Sequence, residues 1–283
     1  MKTSVIDIGS NSVRLLLWAD GKTLYKRLIS TRLGEGIAFS ARLNAEAIER
    51  TARAVALFFD EGKKEGANVF AFATAAVRSA QNGGEFCARV KELCGLEVDV
   101  VSGEEEAKLG LCGVLNDMDG AILDVGGAST ELCVKQGKEV FAHSLNVGAV
   151  RLYDLCGDDK ARLAPVIERE IKPFTRLFQG KLYAIGGTAT TLAALKLRLK
   201  EYDANKVQDC VLSRGEVSAL CDKLFSLSAE ERKGLAGMDA RRADIIAGGA
   251  LLILKVMEIL SIEEIVVSDR DNLEGYLILR GLK

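Results

Sequence analysis

The chain alternates between two hydrophobic rhythms. Apolar and β-branched runs of strand length, bounded by glycine or polar turns, fall at residues 4–18 (two strands joined at 9–11), 24–29, 69–73, 96–101, 121–124, 139–143, 182–185 and 265–267. Between them the period lengthens to that of a helix. Asn44 caps one running to about Glu61, with Ile48, Ala52, Val55, Ala56 and Phe59 on one face and Gly62 as its stop. Ser102 with Glu105, Ser213 with Glu216 and Ser228 with Glu231 read as capping boxes, each opening a further helix. Residues 162–179 are predicted helical, kinked or divided at Pro173. Residues 245–260 form a hydrophobic helix, and a last helix ends near Leu279. Gly248 and Gly249 inside that hydrophobic helix point to tight packing or ligand approach. Strands alternating with helices predict an α/β fold.

One stretch organises the rest. Residues 121–131 read AILDVGGASTE: an apolar run ends on Asp124, a turn follows through Gly126, Gly127, Ala128, Ser129 and Thr130, and Glu131 supplies a second carboxylate. A strand turning on Gly-Gly presents amides and hydroxyls, an anion-binding concavity. Flanking carboxylates suit a hydrated Mg²⁺ beside phosphate oxygens. A hairpin that simply needed glycine is the plain alternative. The N-terminal IDIGSNSVRLLL overlays this stretch without gaps, placing Asp7 on Asp124, Gly9 on Gly126, Ser12 on Ser129 and Leu15 on Leu132. Residues 70–74 echo 183–188, and Val100-Val101-Ser102 recurs as Val266-Val267-Ser268. Three echoes in one order predict two copies of one domain, with two Asp-Gly hairpins walling a single cleft. The polar turn at 116–120 marks the boundary, giving domains 1–117 and 118–283, with the last helix free to pack back on the first.

Composition narrows the chemistry. The chain has 283 residues, enough for two domains, with 48% hydrophobic and 28% charged residues. A net charge of −2 gives no electrostatic footprint for nucleic acid. Seven cysteines without a Cys-x-x-Cys pair suggest free thiols in a reducing cytoplasm. The single histidine, His143, makes His-based catalysis or a His-rich metal site unpromising. Asp7, Asn11 and Arg14 interrupt the N-terminal apolar segment, and the longest apolar run, 245–254, is too short to span a membrane. A homodimer stays open.

Other corners join the cleft. Arg78, just past the strand at 69–73, is a candidate phosphate contact, with a surface salt bridge as the commoner fate. Glu104, Glu105 and Glu106 crowd one helix start, where the helix dipole accounts for one or two of them. Periodicity does not say which one faces the cleft. Gly187 and Thr188 open a helix after the strand at 182–185, a second anion-friendly corner. Arg32-Leu33-Gly34-Glu35-Gly36 is a loop built for close backbone approach.

In order, the pieces IDIGSNSVRLL, TRLGEGI, ATAAVRSAQN, VSGEEEA, LDVGGASTE, NVGAVRL, IGGTATTLAAL, RRADIIAGGALL and VSD…EG resemble those of the exopolyphosphatase / guanosine pentaphosphate phosphohydrolase (Ppx/GppA) family, from residue 5 to about residue 275. The resemblance implies the fold shared by actin, sugar kinases and heat-shock chaperones: two ribonuclease-H-like domains with the active site between them. It implies Glu106 as the catalytic base orienting a water. It implies Asp124 and Glu131 as Mg²⁺ carboxylates, with Asp7 facing them. Gly9, Ser10, Asn11 and Ser12, with Gly126, Gly127, Ala128, Ser129 and Thr130, would be the phosphate-cradling loops, and Arg78 a contact to the phosphate chain. The implied reaction is Mg²⁺-dependent release of terminal phosphate from polyphosphate or guanosine pentaphosphate.

Three departures qualify it. The family's DxGGGSTE has alanine at its third glycine, Ala128; a positive φ there would cost about 1–2 kcal/mol, so an ordinary negative φ is expected. An arginine that the family commonly carries before Glu-Gly is Leu273 here, with Arg270 as the candidate replacement. The resemblance ends with the two-domain core, so a grip on long polyphosphate is less expected. Two other readings stand beside the hydrolase: a polyphosphate or guanosine-polyphosphate sensor without turnover, and a nucleotide hydrolase or kinase of the same fold.

Overall fold

A computed structural model of the chain describes residues 2–115, 118–174, 178 and 180–282. Strand β1 (Thr3–Ile8) turns back through β2 (Ser12–Ala19) and β3 (Lys22–Ser30) as an antiparallel meander. Helix α1 (Ala45–Lys64) leads to β4 (Asn68–Ala73), parallel to β1. Helices α2 (Ala75–Ser79) and α3 (Gly83–Cys94) lead to β5 (Val98–Val100), parallel to β4. After α4 (Gly103–Val114) the path repeats. A second meander, β6 (Gly120–Val125), β7 (Thr130–Gln136) and β8 (Glu139–Leu145), is followed by α5 (Ala149–Cys156), α6 (Lys160–Glu170) and β9 (Leu182–Ile185), parallel to β6. Next come α7 (Gly186–Leu197), α8 (Ala204–Val207) and an antiparallel edge strand, β10 (Cys210–Ser213). Helices α9 (Arg214–Phe225) and α10 (Ala229–Lys233), a 3-10 turn at Ala240–Arg242 and α11 (Ile246–Ile259) precede β11 (Glu264–Val267), parallel to β9, and then α12 (Asn272–Leu279).

The first sheet is ordered β3-β2-β1-β4-β5 and the second, with β10 set aside, β8-β7-β6-β9-β11. Three antiparallel strands and two parallel ones make a ribonuclease-H-like domain, present twice. The echoing segments occupy equivalent strands: β1 and β6, β4 and β9, β5 and β11.

Apolar faces explain the layers. Ile48, Ala52, Val55 and Phe58 of α1 pack with Phe86 and Val90 of α3 over Ile6, Ile8, Leu15 and Ala71 of the first sheet. The second sheet buries Leu123, Leu132 and Ala184 under Leu192 and the hydrophobic α11. The remaining faces are covered by exchange. Ala107 and Leu111 of α4 pack on Ile122, Cys133 and Ile185 of the second sheet. Leu273, Tyr276 and Leu277 of α12 pack on Val5, Leu16 and Phe72 of the first.

Several local expectations shift. Helix α1 runs past Gly62 to Lys64, and the turn comes at Gly66, whose φ is +72°. Gly62 instead serves packing, since a Cβ there would lie 2.8 Å from Val69 Cγ2. Phe58 is the buried aromatic of this helix, with Phe59 only partly covered. Helix α6 ends at Glu170, short of Pro173, and holds Pro165 inside. Residues 175–177 and 179 of the predicted 162–179 helix lie outside the described residues, as do Asn116 and Asp117 of the domain boundary. Gly249 lies against Thr188, where a Cβ would come 2.7 Å from Thr188 Cγ2. Among the described residues no helix is long and apolar enough to cross a membrane.

Candidate active site

The two Asp-Gly hairpins close identically, Gly9 N–H donating to Ser12 O and Gly126 N–H to Ser129 O, each at 3.0 Å. They face each other across a cavity of about 620 Å³. Gly127 lets them meet, because a Cβ there would lie 3.0 Å from Ser10 Cβ. Behind the first hairpin, Gly34 N–H donates to Ser10 O at 2.8 Å, the close approach expected of that loop. The cavity wall includes Asp7, Gly9, Ser10, Asn11, Ser12, Glu106, Asp124, Gly126, Gly127, Ser129, Gly187 and Thr188.

Four of the expected site residues stand behind that wall. Arg78 donates to Glu106 Oε2 at 2.8 Å and to Val101 O at 3.0 Å, so it orients the carboxylate instead of lining the cavity. Ala128, without a positive φ, is buried in the apolar core of the first domain. Thr130 donates its hydroxyl to Val147 O. Glu131, 3% exposed, accepts from Ser144 Oγ at 2.6 Å. Thr188 lines the cavity while its hydroxyl donates to Val125 O at 3.0 Å.

The helix start at 102–106 separates its glutamates by role. Glu104 is exposed, Glu105 completes the capping box with Ser102, and Glu106 is buried and faces the cavity. Burial, reinforced by Asp124 and Asp7 and opposed by Arg78, raises the Glu106 carboxyl to about 7. Burial raises Asp124 to about 6, with Asp271 and Asp7 pushing the same way and Arg14 against. Burial and the neighbouring Glu106 push Glu131 well above the usual range.

Arg14, Lys26, Arg242 and Asn272 also line the cavity. Arg14 lies opposite Asp7 in the β1–β2 register and donates to Asp7 Oδ2, from Nε at 3.1 Å and from Nη2, and through Nη1 to Asp271. The gapless overlay carried a signal, since Arg14 falls on Glu131. Asn272 Nδ2 donates to Asp124 Oδ2 at 3.0 Å. Lys26 contacts Glu274 at 2.9 Å and Asp269 at 3.1 Å; burial opposes its charge, and the carboxylates of Asp271, Glu274 and Asp269 outweigh that cost. Arg242 lies over the bare Cα of Gly187, and burial lowers it to about 10, which leaves it charged at neutral pH. Arg270, the candidate replacement, is exposed and lies outside the cavity wall, while Leu273 is fully buried.

Among the described residues no three His, Cys, Asp or Glu side chains converge as a ready-made metal cage. Mg²⁺ does not require one, being held by one or two carboxylates, waters and substrate phosphates. The donors present fit a hard cation. Asp7 Oδ1 and both amide atoms of Asn11 are buried without a partner. Asp124 is held by a neutral amide, and Gly186, at φ +79°, leaves bare backbone against its Oδ1.

The fold recurs in known proteins. A crystal structure of the Aquifex aeolicus Ppx/GppA family member is 32% identical, covers 100% of this chain and 98% of its own, and superposes with a TM-score of 0.82. An exopolyphosphatase structure from Cytophaga hutchinsonii is 26% identical, covers 100% and 99%, and has a TM-score of 0.89. Exopolyphosphatase 2 of Mycobacterium tuberculosis is 28% identical over 97% of both chains. The bifunctional 3-dehydroquinate synthase/phosphatase of Fusobacterium nucleatum is 30% identical over 98% of this chain, which spans 46% of that protein's length. The Ppx/GppA phosphatase family matches residues 18–280, and the chain belongs to that family.

Proposed function

We propose that the chain is a Mg²⁺-dependent phosphohydrolase that releases terminal phosphate from inorganic polyphosphate or guanosine pentaphosphate by base-assisted attack of water. The observation that carries this reading is a cleft walled by two amide-and-hydroxyl hairpins with one buried glutamate, Glu106, raised to about 7. The amides and hydroxyls of the cradles hold the phosphate oxygens. Glu106, oriented by Arg78, takes the proton from the attacking water, and Arg242 at the α7 start balances negative charge on the chain. A bound Mg²⁺, held through Asp124, would neutralise charge on the transferring phosphoryl group. Phosphoryl transfer depends mostly on such positioning and neutralisation.

The test is phosphate release with Mg²⁺ from short polyphosphate, long polyphosphate, guanosine pentaphosphate and ATP, with Glu106→Gln alongside. Loss of the base should lower kcat by about 10²–10⁴-fold while ligand binding survives. An unchanged kcat would remove Glu106 from this role. Silence on all four compounds, with binding retained, would favour a sensor.

A further inference from the structure

We propose that Asp271 and Asn272 form a clamp that positions the two cradle aspartates, Asn272 on Asp124 directly and Asp271 on Asp7 through Arg14. Asn272 is 3% exposed, and its side chain meets Asp124 Oδ2 across 148 residues of sequence. It donates from a neutral amide, so it fixes the carboxylate without cancelling its charge. Gly186 leaves the other oxygen, Oδ1, against bare backbone. Asp124 is thereby held with one oxygen fastened and the other against bare backbone at the cavity wall.

Asp7 is held in the same way by another route. Asp271 caps α12, accepting from Leu273 N–H at 3.0 Å through Oδ1, and its Oδ2 accepts from Arg14. Arg14 grips Asp7 Oδ2, and Asp7 Oδ1 stays buried without a partner. Each aspartate again has one oxygen fastened. Helix α12 follows the last strand of the second sheet yet packs on the first. Two adjacent residues at its start therefore grip one carboxylate from each domain, and they fix the spacing across the cleft.

The inference rests on the reading of Asp124 as a divalent-cation ligand. Partners behind a metal ligand typically contribute about 10–100-fold in affinity. Mn²⁺ serves as the probe, with binding to the whole chain followed by electron paramagnetic resonance of the unbound ion and by calorimetry. Asn272→Leu and Asn272→Ala should each weaken Mn²⁺ binding by about 10–100-fold and still unfold cooperatively near the wild-type midpoint. Asp124→Asn should weaken it too, and adding Asn272→Leu to that variant should weaken it no further. Wild-type affinity in both Asn272 variants, an additive double variant, or a loss of Mn²⁺ that tracks loss of fold overturns the clamp. A wild-type chain that binds no Mn²⁺ overturns the metal reading of Asp124 first, and the clamp with it.

Discussion

The two hairpins are copies, and they differ most at one position. In the first, Asp7 faces Arg14 across the β1–β2 ladder; in the second, Asp124 faces Glu131 at the same place on β6–β7. The first pairing places a guanidinium on a carboxylate. The second places a carboxylate opposite a carboxylate, with the nearest direct donors a neutral amide and a serine hydroxyl. One backbone motif thus supplies two electrostatic halves: a neutralised wall, and a wall with negative charge to share. On the proposed reading, a cation brought in with a phosphate chain would sit on the second.

Neutralising each aspartate in turn should separate the two walls most strongly. Asp124→Asn is expected to lower kcat by about 10²-fold or more and to raise the Mg²⁺ needed, because several kcal/mol of charge stabilisation is at stake. Asp7→Asn should shift the Mg²⁺ midpoint less, because Arg14 already pairs with that carboxylate. Initial rates across a Mg²⁺ titration decide it, and equal shifts in both variants would erase the distinction.

Stability provides the next test. Arg14→Met strands Asp7 and Asp271 in a buried site and should cost about 3–5 kcal/mol in urea unfolding. Glu131→Gln keeps the uncharged form that burial and the neighbouring Glu106 already favour, and should be neutral or stabilising. Comparable losses from both changes would contradict the proposed asymmetry.

The pH dependence sharpens the same contrast. Folded Glu106 and Asp124 titrate at about 7 and about 6, above the ordinary 4.5 and 3.8. The fold therefore favours their protonated forms. That contribution to stability is complete below the ordinary values and is lost as pH rises through about 6 to 7. Asp271 works the other way: burial raises it, Arg14 and Lys26 outweigh that, and its contribution is lost as pH falls. The unfolding midpoint without Mg²⁺ should decline from pH 5 to pH 8, and added Mg²⁺ should restore much of it. Activity should climb over the same interval as Glu106 becomes a base, so a flat rate profile would speak against that assignment.

The smallest expected effect is at the seam. Ala128→Gly removes one buried methyl from a residue without positive φ, so it should cost about 1 kcal/mol and leave turnover near wild type. A severe loss of turnover would show that this methyl sets the hairpin spacing.

Much of this protein follows from local chemistry. Alternating apolar runs and capping serines specify the strands and helices, and the repeated Asp-Gly hairpin specifies the duplication, because each is a property of a dozen neighbouring residues. Ser102 with Glu105 could be recognised as a capping box from four letters. The tertiary structure decided which of three adjacent glutamates enters the cleft, since that depends on where α4 lands, and α4 lands on the other domain's sheet. It also decided that Arg78 serves Glu106, that Glu131 stands behind the wall, and that Asn272 reaches Asp124 from 148 residues away. Burial and opposing charge set the ionisation of these groups, and both depend on neighbours that only the folded chain brings together.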